Sequence, residues 1–137
     1  MRLGMTSFVY RLAYDRPQPG TREVILKARD PIPTYVAIAD FLTRADFLSA
    51  ESAVSHGERV IRVKLSPGGR EKFNQIAERN EEIEDMSDHT MLLLYLNDKP
   101  APQVTLISEP IPGFEFEIRP EAEHIPALLA AFNAKAH

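Results

Sequence analysis

Six apolar residues in a row, Met91-Leu92-Leu93-Leu94-Tyr95-Leu96, constrain this chain more than any other feature. The run is too short for a membrane span, which needs about 20 apolar residues. It has no polar face to turn towards water, so it reads as a strand covered on both sides, and therefore a central one. The chain must build a sheet around it and bring apolar cover to each face.

The rest of the sequence supplies the pieces. Phe8, Tyr10, Leu12 and Tyr14 alternate with other residues at the period of a half-buried strand. Arg16-Pro17-Gln18-Pro19-Gly20 interrupts it, a second strand is expected over Glu23 to Ala28, and a short extended piece over Tyr35 to Ile38. These read as an N-terminal β-hairpin plus a short strand. Asp40 to His56 reads as a mixed connector, with a helical turn at Asp46 to Ala50. Ile61, Val63 and Leu65 then alternate with Arg62 and Lys64 as a strand with one wet face.

Ser66-Pro67 predicts a helix start: the serine oxygen can accept a free backbone N–H, and proline at the first position forfeits a donor that had no partner. Phe73, Ile76 and Ala77 share one face, and Asn80 reads as the C-terminal cap. Beyond Met91–Leu96, Asn97 to Pro100 forms a turn and Val104 to Ser108 a strand. Phe114 to Ile118 is the cleanest alternation in the chain, completing an expected three-stranded meander. Ile125, Leu128, Leu129 and Phe132 mark a closing helix with Pro126 in its first turn. The fold class is α+β: an antiparallel sheet with two helices on one face, the later part ordered β-α-β-β-β-α. At 137 residues this is one domain, with N-terminal strands and connector over 1–56 and a core over 57–137.

Composition removes several functions. There is no cysteine, hence no thiol chemistry, disulfide or thiolate metal site. The net charge is −4 and the pI about 5.6, without the basic stripe that phosphate neutralisation requires, so no nucleic-acid partner is expected. His56, His89, His124 and His137 have no zinc-motif spacing. Glu81, Glu82, Glu84, Asp85 and Asp88 lack the glycine and bidentate glutamate of a calcium loop and read as a solvated acidic segment. Neither a nucleophile elbow nor a phosphate loop is present, although Ser66 to Arg70 offers a helix start to an anion. No catalytic residue, cofactor or metal ligand is assigned.

Two stretches carry a resemblance. Val60 to Phe73, with Ser66-Pro67-Gly68-Gly69-Arg70-Glu71-Lys72-Phe73 at its end, is similar to the strand-to-helix run of the protein-export membrane protein SecD, which ends in Gly, Lys and Phe. Leu92 to Val104, followed by Ser108-Glu109-Pro110-Ile111, resembles that family's hairpin and its Glu-Pro-Ile ending. Asn97-Asp98-Lys99 stands where the family has Asp-Gly-Lys, Glu81 to Thr90 is longer than the family's link, and SecD's membrane helices have no counterpart. The resemblance implies the extracytoplasmic head subdomain of SecD as a separate α+β module without cofactor, binding a protein or peptide. It favours the cell envelope if a targeting segment has been trimmed, and the cytoplasm otherwise. Candidate contact residues are Asn97, Asp98, Lys99, Phe114 and Phe116. The alternative is an immunity- or inhibitor-type protein steered to a toxin or enzyme by Glu81, Glu82, Glu84 and Asp85. Small-anion binding near Ser66 ranks third.

Overall fold

The computed structural model describes residues 8–26, 33–107 and 109–133. The chain runs β1 (Phe8–Tyr14), β2 (Thr21–Ile25), β3 (Pro33–Ala37), β4 (Phe47–Ser55), β5 (Glu58–Leu65), α1 (Pro67–Glu81), β6 (Met91–Leu96), β7 (Lys99–Leu106), β8 (Glu115–Ile118) and α2 (Ile125–Asn133). From β5 onward the order is β-α-β-β-β-α, and every strand pair is antiparallel, so the expected α+β class holds. The strands are shared between two sheets, β2-β3-β1-β6-β7 and β4-β5-β8.

β6 lies inside the larger sheet, between β1 and β7, as its unbroken apolar run demands. Its Leu92 and Leu94 face a core shared with Phe8, Tyr10, Phe47, Ile61, Phe116 and both helices. Its Met91, Leu93 and Tyr95 face the other way, with Ala13 and Val36. Both helices bury into the first of these cores, α1 through Phe73, Ile76 and Ala77, and α2 through Ile125, Leu128 and Phe132. Around Phe132 the rings interlock, with Phe8 at 4.7 Å and Phe47 at 5.4 Å between centroids. Such pairs add about 1 kcal/mol each beyond the area they bury.

Four details differ from the sequence expectation. The N-terminal hairpin is β2–β3, and β1 pairs with β3 instead of β2. The reason is burial: Thr34 and Val36 of β3 are buried, whereas Arg22 and Glu23 of β2 are exposed and suit an edge. The end expected for that second strand, at Ala28, lies outside the described residues.

The supposed connector after Asp40 is a short 3-10 turn, Arg44–Asp46, followed by the nine-residue strand β4. A register shift between Phe47 and Ser49 breaks the period of two and hides the strand. His56 and Gly57, both at positive φ, make the tight turn into β5.

Asn80 is not a cap: α1 continues to Glu81, and Asn80 is fully buried. Finally, β8 does not complete a meander with β7. It leaves for the second sheet and pairs with β5, Phe116 opposite Val63 and Ile118 opposite Ile61. Arg70 draws the chain there, donating to the carbonyls of Gly113 at 2.6 Å, Pro112 at 3.3 Å and Ile111 at 3.4 Å, while stacking over Phe114. On the outer face of that sheet, Arg62 sits among Glu51, Glu115 and Glu117.

Candidate functional site

The departure of β8 leaves the edges of the two sheets side by side, and a groove opens between them. Its mouth is a hollow of about 300 Å³ beside the β6–β7 hairpin and α2. The floor is apolar, made by Leu94, Leu96, Ala101 and Leu128, with Pro100 and Pro120 on the flanks. Lys99, Arg119, Glu121 and His124 supply a charged rim. A second hollow of about 310 Å³ lies between Val104–Leu106 of β7 and Glu117–Arg119. The two share Arg119, and a narrow cleft lined by Tyr10, Leu94, Thr105 and Ile118 lies between them. Apolar floors with a few polar groups around them are the usual makeup of a binding site.

Local sequence explains the shape. Asn97 and Asp98 both adopt positive φ, 49° and 66°, which a two-residue hairpin turn requires. That turn sets Lys99 on the rim. Pro100 and Pro102 then lack the donors an inner strand needs, so β7 is held to an edge. Pro120 likewise stands two residues past the end of β8. These prolines were the signal for an edge beside the groove, and Leu96, Ala101 and Leu128 are lining residues that the sequence did not single out.

The candidate residues scatter. Lys99 enters the groove, with Asn97 and Asp98 at its hairpin tip. Phe116 is buried in the core, stacked on Phe73 at 5.1 Å. Phe114 is 41% exposed beneath the Arg70 guanidinium. Glu81, Glu82 and Glu84 are exposed at the end of α1 and just beyond. Asp85 caps a 3-10 turn through the Ser87 N–H, and Arg16 reaches it at 3.4 Å and Asp88 at 2.9 Å. The Ser87 hydroxyl and amide, more than Arg16, hold the Asp85 carboxyl below the ordinary range.

The helix start at Ser66 is engaged in structure. The Ser66 hydroxyl accepts from Gly69 N–H at 3.1 Å, and Arg70 is spent on the 111–113 carbonyls. Among the described residues, Glu121, Glu123 and His124 come within 4.8 Å of one another, all exposed. His124 lies 3.5 Å from Glu123 and 3.8 Å from Glu121, a cluster of solvated surface side chains.

No protein-family profile and no curated protein sequence matches this chain. Solved structures do. A structure of SecDF, described as a membrane component that enhances protein export, superposes with a TM-score of 0.60 over 93% of this chain and 62% of its own, at 14% identity. A second, SecDF in its super-membrane-facing form, gives 0.62 over 93% of this chain and 18% of its own, at 15% identity.

The fold is similar to that of a part of SecDF.

The chain spans under two thirds of one SecDF structure and under a fifth of the other. The resemblance read from Val60–Phe73 and Leu92–Ile111 is thus borne out by three-dimensional likeness. Among the described residues no helix is long and apolar enough to cross a membrane.

Proposed function

We propose that this chain is a SecD-like module, with no catalytic residues and no cofactor, that binds a peptide segment of a protein partner in the groove between β7 and β8. The observation that carries this reading is an apolar floor with a charged rim, lying beside open sheet edges. Floor and rim together suit a chain of mixed polarity better than a wholly apolar ligand. The likeness to SecDF, whose described role is in protein export, supports the same reading and favours the bacterial cell envelope as its place of work.

The test is direct titration of a labelled, reduced and carboxymethylated unfolded protein, followed by fluorescence anisotropy. Leu96→Asp puts a charge on the floor at a half-buried position and is expected to weaken binding at least tenfold, with circular dichroism unchanged. Lys99→Glu on the rim should change affinity less and alter its salt dependence. Failure of the folded wild-type chain to bind any unfolded protein or peptide would overturn the proposal.

A further inference from the structure

The backbone says what sort of chain the groove accepts. In an antiparallel ladder, residues whose N–H and C=O bond to one neighbour alternate with residues whose groups point the other way. The Leu65 N–H donates to the Phe114 carbonyl at 2.7 Å, so Phe114, Phe116 and Ile118 turn their backbone groups towards β5. Glu115 and Glu117 therefore turn theirs away from the sheet, towards the groove.

The larger sheet alternates in the same way. Tyr10 exchanges both backbone bonds with Leu42, at 2.9 Å and 3.1 Å, and so faces away from β6. Val9, Arg11 and Ala13 consequently bond to Tyr95, Leu93 and Met91. That leaves Leu92 to bond across to Thr105, and it directs the backbone groups of Val104 and Leu106 outward. The hollow between Val104–Leu106 and Glu117 is thus bordered on both sides by N–H and C=O groups that no strand among the described residues satisfies.

The other sheet's far edge is treated differently. Asn133 donates to the Ala50 carbonyl at 2.8 Å and accepts from the Ala50 N–H at 2.9 Å, filling the outer edge of β4 with a side chain. Among the described residues, no side chain bonds the outward backbone groups of Val104, Leu106 or Glu117 in this way.

We propose that the occupant is a β-strand: an extended peptide with apolar side chains at alternate positions, inserted between β7 and β8 and hydrogen-bonded to both. It would join the two sheets into one. Its inward side chains meet Tyr10, Leu94 and Ile118, and its outward ones lie between Leu106, 61% exposed, and Glu117. Main-chain bonds give such a mode its affinity and alternate side chains its selectivity. This inference rests on the groove-binding reading above and specifies its mode.

The probe is the peptide Lys-Val-Thr-Val-Thr-Val-Thr-Lys, compared with the same sequence N-methylated at its threonines. Amide hydrogen exchange at Val104, Leu106 and Glu117 is expected to slow at least tenfold on binding, and N-methylation to weaken binding at least tenfold. Binding that perturbs Leu96 and Ala101, but leaves those amides unprotected and tolerates N-methylation, overturns strand insertion while keeping the groove reading. Protection of the three amides without peptide would show the edges already paired and overturn it too. Absence of binding by the peptide and by unfolded protein alike removes both readings.

Discussion

Asn80 holds Thr90 by both ends of its amide, accepting from the Thr90 N–H at 3.0 Å and donating to the Thr90 carbonyl at 2.9 Å. The same NH₂ group donates to the Ile107 carbonyl at 2.9 Å, so one helical side chain ties the entry of β6 to the exit of β7. Asn74 treats Ile111 in the same two-handed way, at 2.9 Å and 3.2 Å, from a less buried position.

Replacing Asn80 by Leu leaves three backbone groups of Thr90 and Ile107 without their partner at a fully buried position. A loss of about 2–4 kcal/mol is expected in urea unfolding, because orphaned buried polar groups cost about 1–3 kcal/mol each with partial relaxation. Asn74→Ala should cost less, about 1 kcal/mol. Equal effects at the two positions would contradict this account.

Gly69 sits against the turn that precedes β4. A Cβ there would lie 2.5 Å from the Asp46 carbonyl oxygen and 3.0 Å from the Asp46 Cβ. Gly69→Ala is expected to destabilise by about 1–3 kcal/mol despite alanine's better helix propensity. At Gly68 the nearest atom is the Ser66 Oγ at 4.0 Å, so Gly68→Ala should be neutral or stabilise by about 0.5 kcal/mol. Thermal midpoints of the two variants decide the matter by their opposite signs.

Burial pushes the Tyr10 phenol well above its ordinary range, offset in part by its hydrogen bond with Thr105. The native state then keeps a proton that the unfolded state releases near pH 10. Tyr10's contribution is full below that pH and falls as pH rises through and above it, by about 1.4 kcal/mol per pH unit. Phenolate absorbance should show Tyr10 ionising only as the chain unfolds. Tyr10→Phe should flatten the alkaline limb of the stability profile, and an unchanged limb would refute the assignment.

Asp85 titrates with the opposite sign. Ser87 lowers its pKa, so what it contributes is present above the unfolded carboxyl value near 3.9 and is lost as pH falls through the depressed folded value. A carboxyl-carbon NMR titration should place Asp85 below a typical aspartate. In Ser87→Ala the hydroxyl's share of that shift should go while the share of the residue-87 amide stays, whereas Arg16→Ala should remove a smaller part.

What the sequence made legible was what local pattern alone decides. Met91–Leu96 announced a central strand because burial on both faces leaves no polar period to obscure it. Ser66-Pro67 announced the helix start because the capping atoms are neighbours in the chain. Where β8 pairs could not be read from Phe114–Ile118, since its alternation suits either sheet. The choice is made by Arg70, over forty residues away, gripping the 111–113 carbonyls. The groove inherits this blindness, because it exists only where two non-local pairings leave space between them. Lys99 was anticipated from its turn, but Leu96 and Leu128 gain meaning only once α2 closes over the hairpin.

The plug that Asn133 forms on Ala50 has a consequence for self-association. A bare β4 flank would present Ala50, and by alternation Ser52 and Val54, as a ready template for a second copy, and copies joined flank to flank could continue into fibres. One amide at the tail of α2 stops that growth at its first rung.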